Sequence, residues 1–396
     1  MKHYRINRKA THRQLRRHNR QLLLRAVYDG LADNRAALAQ ETGLAKPTVS
    51  ALVSELIAEG LLVEGGRGPS TGGGGKRPRL LQFVPDARNV IGVAINGESV
   101  QGALANLDGQ ITARHTVALR GAQGETALHR IEETINGLVA QLDAPLLCVG
   151  VGVAGVVDAA EGMVSYAPHL GWRKFPLATR LARHYDVPVH LANSTELAAM
   201  AHFVFGLQEN ISSLALVLVS TGVGVGLVID GTTYAGGGEI GHLRLAERSP
   251  VPVHSTETGR LETFLGWHYV KQRAYALRKS HPNSLLPAAG EPFDYLHIRW
   301  AAANGDPAAL TLQDELSRSL AHVFAWTIGL LRLEHIALAG PIADLGQPLL
   351  ESAVAHTRTL ILSDLVDRVA FSLACSPHLV TIGAIAQSLQ LELGLV

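Results

Sequence analysis

The chain has 396 residues, of which 47% are hydrophobic and 17% charged, and its formal net charge is +1 at pH 7. This apolar content supplies substantial cores and excludes a disordered chain, while no apolar run approaches the roughly 18–20 residues of a membrane span. The first residues are basic and lack the apolar stretch of a signal peptide, which predicts a cytoplasmic protein. The two cysteines, Cys148 and Cys375, lie in apolar runs and are expected to be buried thiols rather than a disulfide.

Basic residues are concentrated at one end of the chain. Residues 1–90 contain 16 Lys and Arg against 7 Asp and Glu, a net charge of +9, so the remaining residues carry a net charge of −8. A basic end on an acidic body favours a polyanionic partner for that end. A solvated basic tail without a partner is the alternative interpretation.

Residues 13–63 are predicted to form three short helices. The first spans about Leu15–Tyr28, the second follows the N-cap residue Asn34 as far as Glu41, and the third covers about Pro47–Glu59. In the third helix, apolar residues recur at i, i+3, i+4, i+7 and i+8, which predicts one buried face. These residues are Val49, Leu52, Val53, Leu56 and Ile57.

A hairpin is predicted directly after the third helix. The short extended runs "LLVEGG" and "RLLQFV" flank the Gly-rich, basic tip "RGPSTGGGGKRPR". Two extended runs around a flexible basic loop are typical of the wing in a winged helix. A plain Gly-rich linker is the alternative.

Three helices and a wing predict a DNA-binding unit. The second helix of a helix-turn-helix enters the major groove with its N-terminal end, so its outward residues are the candidate contacts. They are Lys46, Thr48, Ser50, Ala51 and Ser54. In the wing, Arg77 and Arg79 flank Pro78, and two guanidinium groups on an extended segment suit a narrow A·T-rich minor groove. An ordinary three-helix packing unit is the alternative.

From Val90 onward the pattern is α/β. Three strands are predicted first, followed by helix 124–141, strand 146–151, helix 177–184, strand 187–191 and helix 195–206. A similar series opens with "LALVLVSTGVGVGLVIDG" and continues through helix 308–331, strand 335–339, helix 346–357, strand 369–373 and helix 380–391. Two such series predict a body of two similar lobes with a cleft between them.

Four segments resemble motifs of the ROK family (repressors, open reading frames, sugar kinases) in its regulator branch. They are "GLAKPTVSALVSELIAEGLLVE", "GVGVAGVVDAAEGMVSYAPHLGW", "STGVGVGLVIDG" and "GGEIGHL", and the block Gly238–His242 in the last is the most specific. The resemblance covers nearly everything from about residue 15 onward. It implies a winged helix-turn-helix over residues 1–85. An actin-like duplication of the sugar-kinase/Hsp70, ribonuclease H-like type would follow, with one lobe at 88–206 and a second, effector-binding and oligomerising lobe at 207–396.

The same resemblance indicates that kinase chemistry has been lost. Family kinases open with Asp-x-Gly-Gly-Thr, which corresponds to Ala94–Glu98 here, and their base lies in an Asn-Asp pair, which corresponds to Asn193–Ser194. Serine cannot accept a proton at neutral pH, and Glu98 would repel the phosphates of ATP. Glu196 is close in sequence to the lost base but is expected to point elsewhere. The chain is therefore predicted not to be an enzyme and to need no cofactor.

The remaining nucleotide and metal motifs are also incomplete. Ala339–Pro341 replaces the Gly-Gly-Gly of the adenine side, whereas the second phosphate loop, Thr221–Gly226, survives in outline and its glycines could simply serve a tight turn. The family's zinc site uses the His of "GEIGH" with three cysteines, but the segment after His242 contains no cysteine, and His254 cannot complete a tetrahedral site. We predict no structural metal, so loop 243–260 would either be held by packing or hydrogen bonds or be mobile.

The sugar-contacting set of the family is partly kept, since the loss of the Asp of the Asn-Asp pair removes one hydroxyl ligand as well as the base. By resemblance, the effector-binding residues are His169, which replaces an Asn, together with Asn193, Glu239, His242 and Glu262. Carboxylates and imidazoles suit hydroxyl groups, which need both donors and acceptors. Alternatively, Glu239 and His242 only orient loops.

These observations predict a transcriptional regulator of the repressor type that responds to a sugar or sugar derivative. Its partners would be a double-stranded DNA operator and a second copy of the chain, as a homodimer or dimer of dimers. Two alternatives stay open: an active sugar kinase with an added DNA-binding domain, and a regulator controlled by a protein partner.

Overall fold

A computed structural model of the protein describes residues 11–67, 78–207, 211–236, 238–253 and 257–395. Within these ranges no helix is both long enough and apolar enough to cross a bilayer. The described elements form an N-terminal helical unit with a hairpin, followed by two α/β lobes.

The N-terminal unit is a winged helix, and its elements confirm the predicted ones. It contains α1 (His12–Tyr28), α2 (Arg35–Thr42), α3 (Lys46–Ala58), β1 (Leu62–Arg67) and β2 (Arg79–Phe83). The side chain of Asn34 accepts hydrogen bonds from two backbone N–H groups of the first turn of α2, as an N-cap residue does. Strands β1 and β2 pair antiparallel, which supports the wing over a plain linker.

The first lobe contains a five-stranded sheet with the order β10-β6-β3-β4-β5. Its elements are β3 (Asn89–Ile95), β4 (Ser99–Asn106), β5 (Ile111–Ala118), α4 (Gly124–Val139), β6 (Leu146–Val153), β7 (Val156–Asp158), β8 (Met163–Ala167), β9 (Trp172–Phe175), α5 (Leu177–Tyr185), β10 (Val189–Asn193) and α6 (Ser194–Ala201). Strands β3, β4 and β5 are antiparallel, whereas β6 and β10 run parallel to β3.

The second lobe repeats that sheet in the order β13-β12-β11-β14-β15, with the same alternation of antiparallel and parallel pairs. Its elements are β11 (Leu214–Val219), β12 (Val223–Ile229), β13 (Thr232–Tyr234), α7 (Glu262–Leu265), α8 (Trp267–Ser280), α9 (Tyr295–Ala303), α10 (Pro307–Leu330), β14 (His335–Ala339), α11 (Gln347–Leu360), α12 (Ser363–Val366), β15 (Ala370–Ala374) and α13 (Leu379–Leu393). The predicted duplication of an α/β unit is confirmed.

Several local features differ from the sequence-based expectations. The helix predicted over 195–206 is α6 followed by a π-helical turn, His202–Gly206. The small sheet β7–β8–β9 and the helices α8 and α9 were absent from the prediction. Cys148 is buried as expected, but Cys375 is exposed because it lies just beyond the end of β15.

The last helix, α13, belongs to the second series in sequence but packs on the sheet of the first lobe. A Cβ atom on Gly150 of β6 would overlap the backbone of Ala384, which shows how closely the helix and the sheet approach. Leu389 and Leu393 of α13 share one apolar core with Leu23 and Leu56 of the winged helix. The winged helix is therefore packed against the first lobe rather than tethered to it.

Candidate functional site

The third helix presents a polar face to solvent at its N-terminal end. Val49, Leu52, Val53 and Leu56 are buried, and Ile57 is partly buried, so the predicted apolar stripe faces inward. All five candidate DNA contacts are exposed, namely Lys46, Thr48, Ser50, Ala51 and Ser54. The hydroxyl of Ser54 donates to the carbonyl of Ser50 at 2.8 Å and keeps its oxygen lone pairs for an outside donor.

Two arginines of α1 form ion pairs at the C-terminal end of α3. Arg16 pairs with Glu55, and Arg20 pairs with Glu59. Both arginines counted toward the basic end in the sequence, but here they neutralise the only acidic side chains of α3 and its C-cap. The helix surface that faces solvent near Lys46 therefore carries no acidic residue of α3 that could repel a phosphate backbone.

The wing is anchored to α2 by one carboxylate. Glu64 of β1 accepts hydrogen bonds from both Arg35 and Arg79, and these two guanidinium groups hold the pKa of Glu64 below its usual value. The N–H of Leu81 also donates to the carbonyl of Asp33 at 2.6 Å. The side chain of Arg79 remains 66% exposed, whereas Arg77 lies outside the described residues.

Four of the five predicted effector-binding residues form one network of hydrogen bonds and ion pairs where the lobes meet. Asn193 Nδ2, at the end of β10, donates to Glu239 Oε1 at 3.0 Å. Glu239 Oε2 lies 3.5 Å from His242 Nε2, and His242 Nδ1 lies 3.4 Å from Glu262 Oε1. We call the last three residues the Glu-His-Glu cluster.

The side chain of Asn193 connects this network to the neighbouring backbone. Its amide nitrogen also donates to the carbonyl of Gly155 at 2.8 Å, and its amide oxygen accepts from the N–H and hydroxyl of Thr195 at 2.7 and 2.6 Å. Both donors and both acceptor positions of the side chain are thus used inside the protein. A ligand could contact Asn193 only by replacing one of these bonds.

The imidazole of His242 is protonated at neutral pH. The neighbouring carboxylates of Glu239 and Glu262 raise the pKa of His242 to about 10, although partial burial opposes them. The cluster therefore combines two acceptors with one cationic donor, and it carries a net charge of −1. About half of the His242 side chain is exposed, so these groups are within reach of a bound molecule.

His169 lies near Glu239 with an unused ring nitrogen. Its Nε2 atom is buried and has no hydrogen-bond partner among the described residues. Burial lowers the pKa of His169, although the charge of Glu239 opposes this shift, so the ring is neutral at pH 7. A buried nitrogen without a partner costs free energy unless a ligand or water satisfies it.

The Glu196 carboxylate is hydrogen-bonded to backbone groups next to this site, at Asn193 and Gly236. The side chain is buried, and Oε1 accepts a hydrogen bond from the N–H of Gly236 at 2.7 Å. Burial raises the pKa of Glu196, although this hydrogen bond opposes the shift. The carboxylate holds the segment before Glu239, and the expectation that it points away from the place of the family base stays a prediction.

The two loops that the resemblance predicts to correspond to phosphate loops, Ala94–Glu98 and Thr221–Gly226, face each other across the lobes. A Cβ atom on Gly97 would lie 3.4 Å from the hydroxyl oxygen of Thr221. The first loop is closed by Asn96, whose Oδ1 accepts from the N–H groups of Glu98 and Ser99 at 2.8 and 2.7 Å. Glu98 is exposed beside this approach, where its charge opposes a phosphate.

The glycines of the second loop have a packing explanation. A Cβ atom on Gly224 or Gly226 would overlap Thr195, because β12 lies directly against α6. Close helix–strand approach therefore requires them, which is a different reason from the tight turn considered above.

The loop after His242 is held by hydrogen bonds. Ser249 Oγ lies 2.8 Å from Thr263 Oγ1 and accepts from the N–H of Gly259 at 2.8 Å. The N–H of Leu245 donates to the carbonyl of Gly259 at 2.7 Å. Within the described ranges no three His, Cys, Asp or Glu residues are grouped as metal ligands would be, and His254 lies outside those ranges, so the predicted lack of zinc stays a prediction.

Comparison with known sequences places this site in a family context. The sequence model described as "ROK family" matches residues 90–385. The chain is 30% identical to the xylose repressor of Bacillus subtilis (strain 168) over 239 residues, which cover 59% of this chain and 62% of that protein. It is 27% identical to the DNA-binding transcriptional dual regulator NagC of Escherichia coli (strain K12) over 332 residues, or 80% of this chain and 79% of that protein. The match thus spans about six tenths of the xylose repressor.

Solved structures support the fold of both parts of the chain. A ROK family transcriptional regulator, described as a homologue of the Escherichia coli MLC protein, aligns with 96% of this chain and 98% of its own, with a TM-score of 0.80 and 23% identity. A ROK family glucokinase from Streptomyces griseus, in complex with glucose and AMPPNP, aligns with 75% of this chain and 98% of its own, with a TM-score of 0.66 and 23% identity.

Proposed function

The chain belongs to the ROK family, and from this premise we propose that it is a DNA-binding transcriptional repressor controlled by a sugar or sugar derivative. One observation carries the proposal. The exposed N-terminal end of α3 and the Glu-His-Glu cluster occur in one chain, and the winged helix shares an apolar core with the lobe that supplies Asn193.

The operator would be read by α3 and the wing. Lys46, Thr48, Ser50 and Ser54 are polar, exposed and located at the helix end that enters a major groove. Arg79, with Arg77 beyond the described residues, would contact the adjacent minor groove or its phosphates. Two half-sites would be bound by two copies of the chain, as a homodimer or dimer of dimers.

The effector would bind where the lobes meet. The Glu-His-Glu cluster offers acceptors and a cationic donor, and His169 adds a buried nitrogen that has no partner among the described residues. Such a set suits the hydroxyl groups of a sugar, each of which both donates and accepts. Asn193 would act through Glu239, because its own hydrogen-bonding capacity is already used.

No phosphoryl transfer is part of the proposal. Ala94 and Ser194 occupy the places of the family's two carboxylates, and Glu98 opposes phosphate binding. The family includes sugar kinases, so the point needs its own assay. Sugar-dependent ATP turnover by the purified chain would contradict this part of the proposal.

The test combines operator selection with calorimetry. Operator DNA is selected from a random pool, and sugars, sugar phosphates and nucleotides are screened by thermal shift, since a ligand that binds the folded state raises its midpoint. A sugar that raises the midpoint should also weaken operator binding. Its affinity for the protein should then fall on adding operator by the same factor, because linkage is reciprocal.

Substitutions in the Glu-His-Glu cluster, compared with a control substitution on α10, test where the effector binds. Glu239→Gln or Glu262→Gln should remove the sugar response and leave operator affinity unchanged, whereas Glu315→Gln on α10 should change neither. A sugar response that survives both cluster variants would place the sensing site elsewhere. Operator binding without a response to any small molecule would favour control by a protein partner.

A further inference from the structure

The end of α13 is capped by side chains of the DNA-binding unit. The last carbonyls of a helix have no partner within the helix. Here the carbonyl of Leu391 accepts from Gln21 Nε2 at 3.1 Å and from Arg17, and the carbonyl of Glu392 accepts from Gln21 at 3.4 Å. Arg17 and Gln21 belong to α1, so the position of α1 depends on where α13 ends.

The same end of α13 is bonded to the strand that leads to the cluster. His190 Nε2 and Glu392 Oε1 are 2.8 Å apart, and each side chain is only 22% exposed. His190 lies on β10 three residues before Asn193, which holds Glu239. A contiguous path therefore runs from the Glu-His-Glu cluster through β10 and Glu392 to α1.

The charges around this contact all favour it. His190 holds the pKa of Glu392 below its usual value, and the nearby positive charges of Arg17 and Arg20 act in the same direction, against partial burial. Glu392 is thus ionised at neutral pH, and its carboxylate accepts a hydrogen bond from His190 of β10. Its backbone carbonyl accepts a hydrogen bond from Gln21 of α1. A hydrogen bond to a charged acceptor is stronger than a neutral one.

Helix α13 is closely packed against α6 and β6. A Cβ atom on Gly383 would overlap the backbone of Leu197 in α6, and Gly150 of β6 meets Ala384 equally closely. Because α6 begins directly after Asn193, we expect a displacement at the cluster to move α6 and β10 together against α13. Close-packed elements transmit such displacements rather than absorbing them.

We propose that His190 and Glu392 are positioning residues that link the cluster-side strand β10 to helix α1 of the winged helix. The link fixes the C-terminal end of α13, and that end fixes α1 through Arg17 and Gln21. In a regulator of the proposed kind, this path would carry the state of the effector site to the recognition helix. The link itself rests only on the contacts, whereas its regulatory use rests on the proposed function.

Hydrogen–deuterium exchange on the full-length, ligand-free and DNA-free chain tests the link. His190→Ala and Glu392→Ala should each speed amide exchange in residues 12–28 by roughly fivefold, as expected for loss of one hydrogen bond. The double variant should add little to either single change, because both remove the same contact. Glu392→Gln keeps an acceptor and should restore most of the protection.

The matched control breaks a different pair on the same lobe. Glu125→Ala removes the exposed contact with Arg180 between α4 and α5 and should leave exchange in α1 unchanged. Wild-type exchange in α1 for His190→Ala, or full additivity in the double variant, would overturn the link. This readout requires neither sugar nor DNA, so failure to bind an operator would sink the proposed function and leave the link standing.

A second measurement tests the regulatory use. Once an operator and an effector are known, His190→Ala should bring the factor by which the effector changes operator affinity down toward one. Effector affinity without DNA should stay at its wild-type value, since His190 does not touch the cluster in the contacts described. An unchanged coupling factor in His190→Ala would overturn the regulatory part of the inference.

Discussion

The winged helix and the inter-lobe site are built in opposite ways. The winged helix comes from one continuous stretch of about seventy residues, and its working surface is a polar face left over after an apolar stripe is buried. The inter-lobe site draws its residues from four separate segments around positions 169, 193, 239–242 and 262. A local pattern can specify the first kind of site, whereas the second exists only once both lobes have folded.

The two regions also differ in how their side chains are used without a ligand. The candidate DNA contacts on α3 are exposed, while the residues of the inter-lobe site mostly bond one another. DNA binding should therefore be lost gradually as exposed contacts are removed. Effector binding should be lost when any single residue of the site is replaced, because each side chain is positioned by its contact with the next.

The largest effect is expected where the winged helix shares a core with the first lobe. Leu393→Ala should lower the free energy of unfolding by about 2–5 kcal/mol, because the side chain is 3% exposed among apolar residues of α1, α3 and β3. Urea unfolding followed by circular dichroism measures the loss. Leu391→Ala, at a position 42% exposed on the same helix, should change stability by less than about 0.5 kcal/mol. Equal losses for the two variants would contradict a shared core.

The next effect concerns the exposed face of α3 alone, which is proposed to read DNA. Lys46→Ala should weaken operator binding about tenfold, since it removes a charged contact, and should reduce the salt slope by about one. Fluorescence anisotropy at several salt concentrations gives both values. Lys279→Ala, an exposed lysine on α8, is the control and should change neither. An unaltered salt slope for Lys46→Ala would mean that Lys46 does not contact a phosphate.

A smaller, sequence-dependent effect is expected from the wing. Arg77→Ala combined with Arg79→Ala should weaken binding more on operators with A·T-rich flanks than on those with G·C-rich flanks, because a narrow minor groove attracts arginine. The measurement is competition between the two flank types. Equal weakening on both would leave only phosphate contacts for these arginines.

The smallest expected effect is a pH dependence that belongs to the inter-lobe site. The pKa of His242 is about 10 in the folded chain and about 6.5 when unfolded. The stabilisation from its protonated form is complete below pH 6.5 and is lost as pH rises toward 10. Wild-type protein should therefore lose more stability between pH 7 and pH 10 than His242→Gln in urea unfolding. Solvent screening keeps the difference small, because the side chain is half exposed. Parallel pH profiles for the two proteins would mean that His242 is not paired in solution.

The sequence predicted the winged helix closely, including the cap at Asn34 and the buried stripe of α3. It also predicted the repeated α/β units, because buried strands and long helices leave clear apolar patterns. The same reasoning overlooked the pairing of Arg16 and Arg20 with α3 and counted both as part of a basic surface. It also missed helices α8 and α9, whose burial depends on neighbours far along the chain.

What the sequence by itself determined was the set of local elements and the identity of the groups available for chemistry. Period, caps and turn residues act over a few positions, and the alanine and serine at positions 94 and 194 are visible without any coordinates. Only the tertiary structure decided that the hydrogen-bonding capacity of Asn193 is fully used and that α13 returns to the first lobe to meet α1. It also decided that a buried nitrogen of His169 has no partner among the described residues. These features depend on contacts between residues tens to hundreds of positions apart, and such contacts are set by how whole elements pack rather than by any local pattern.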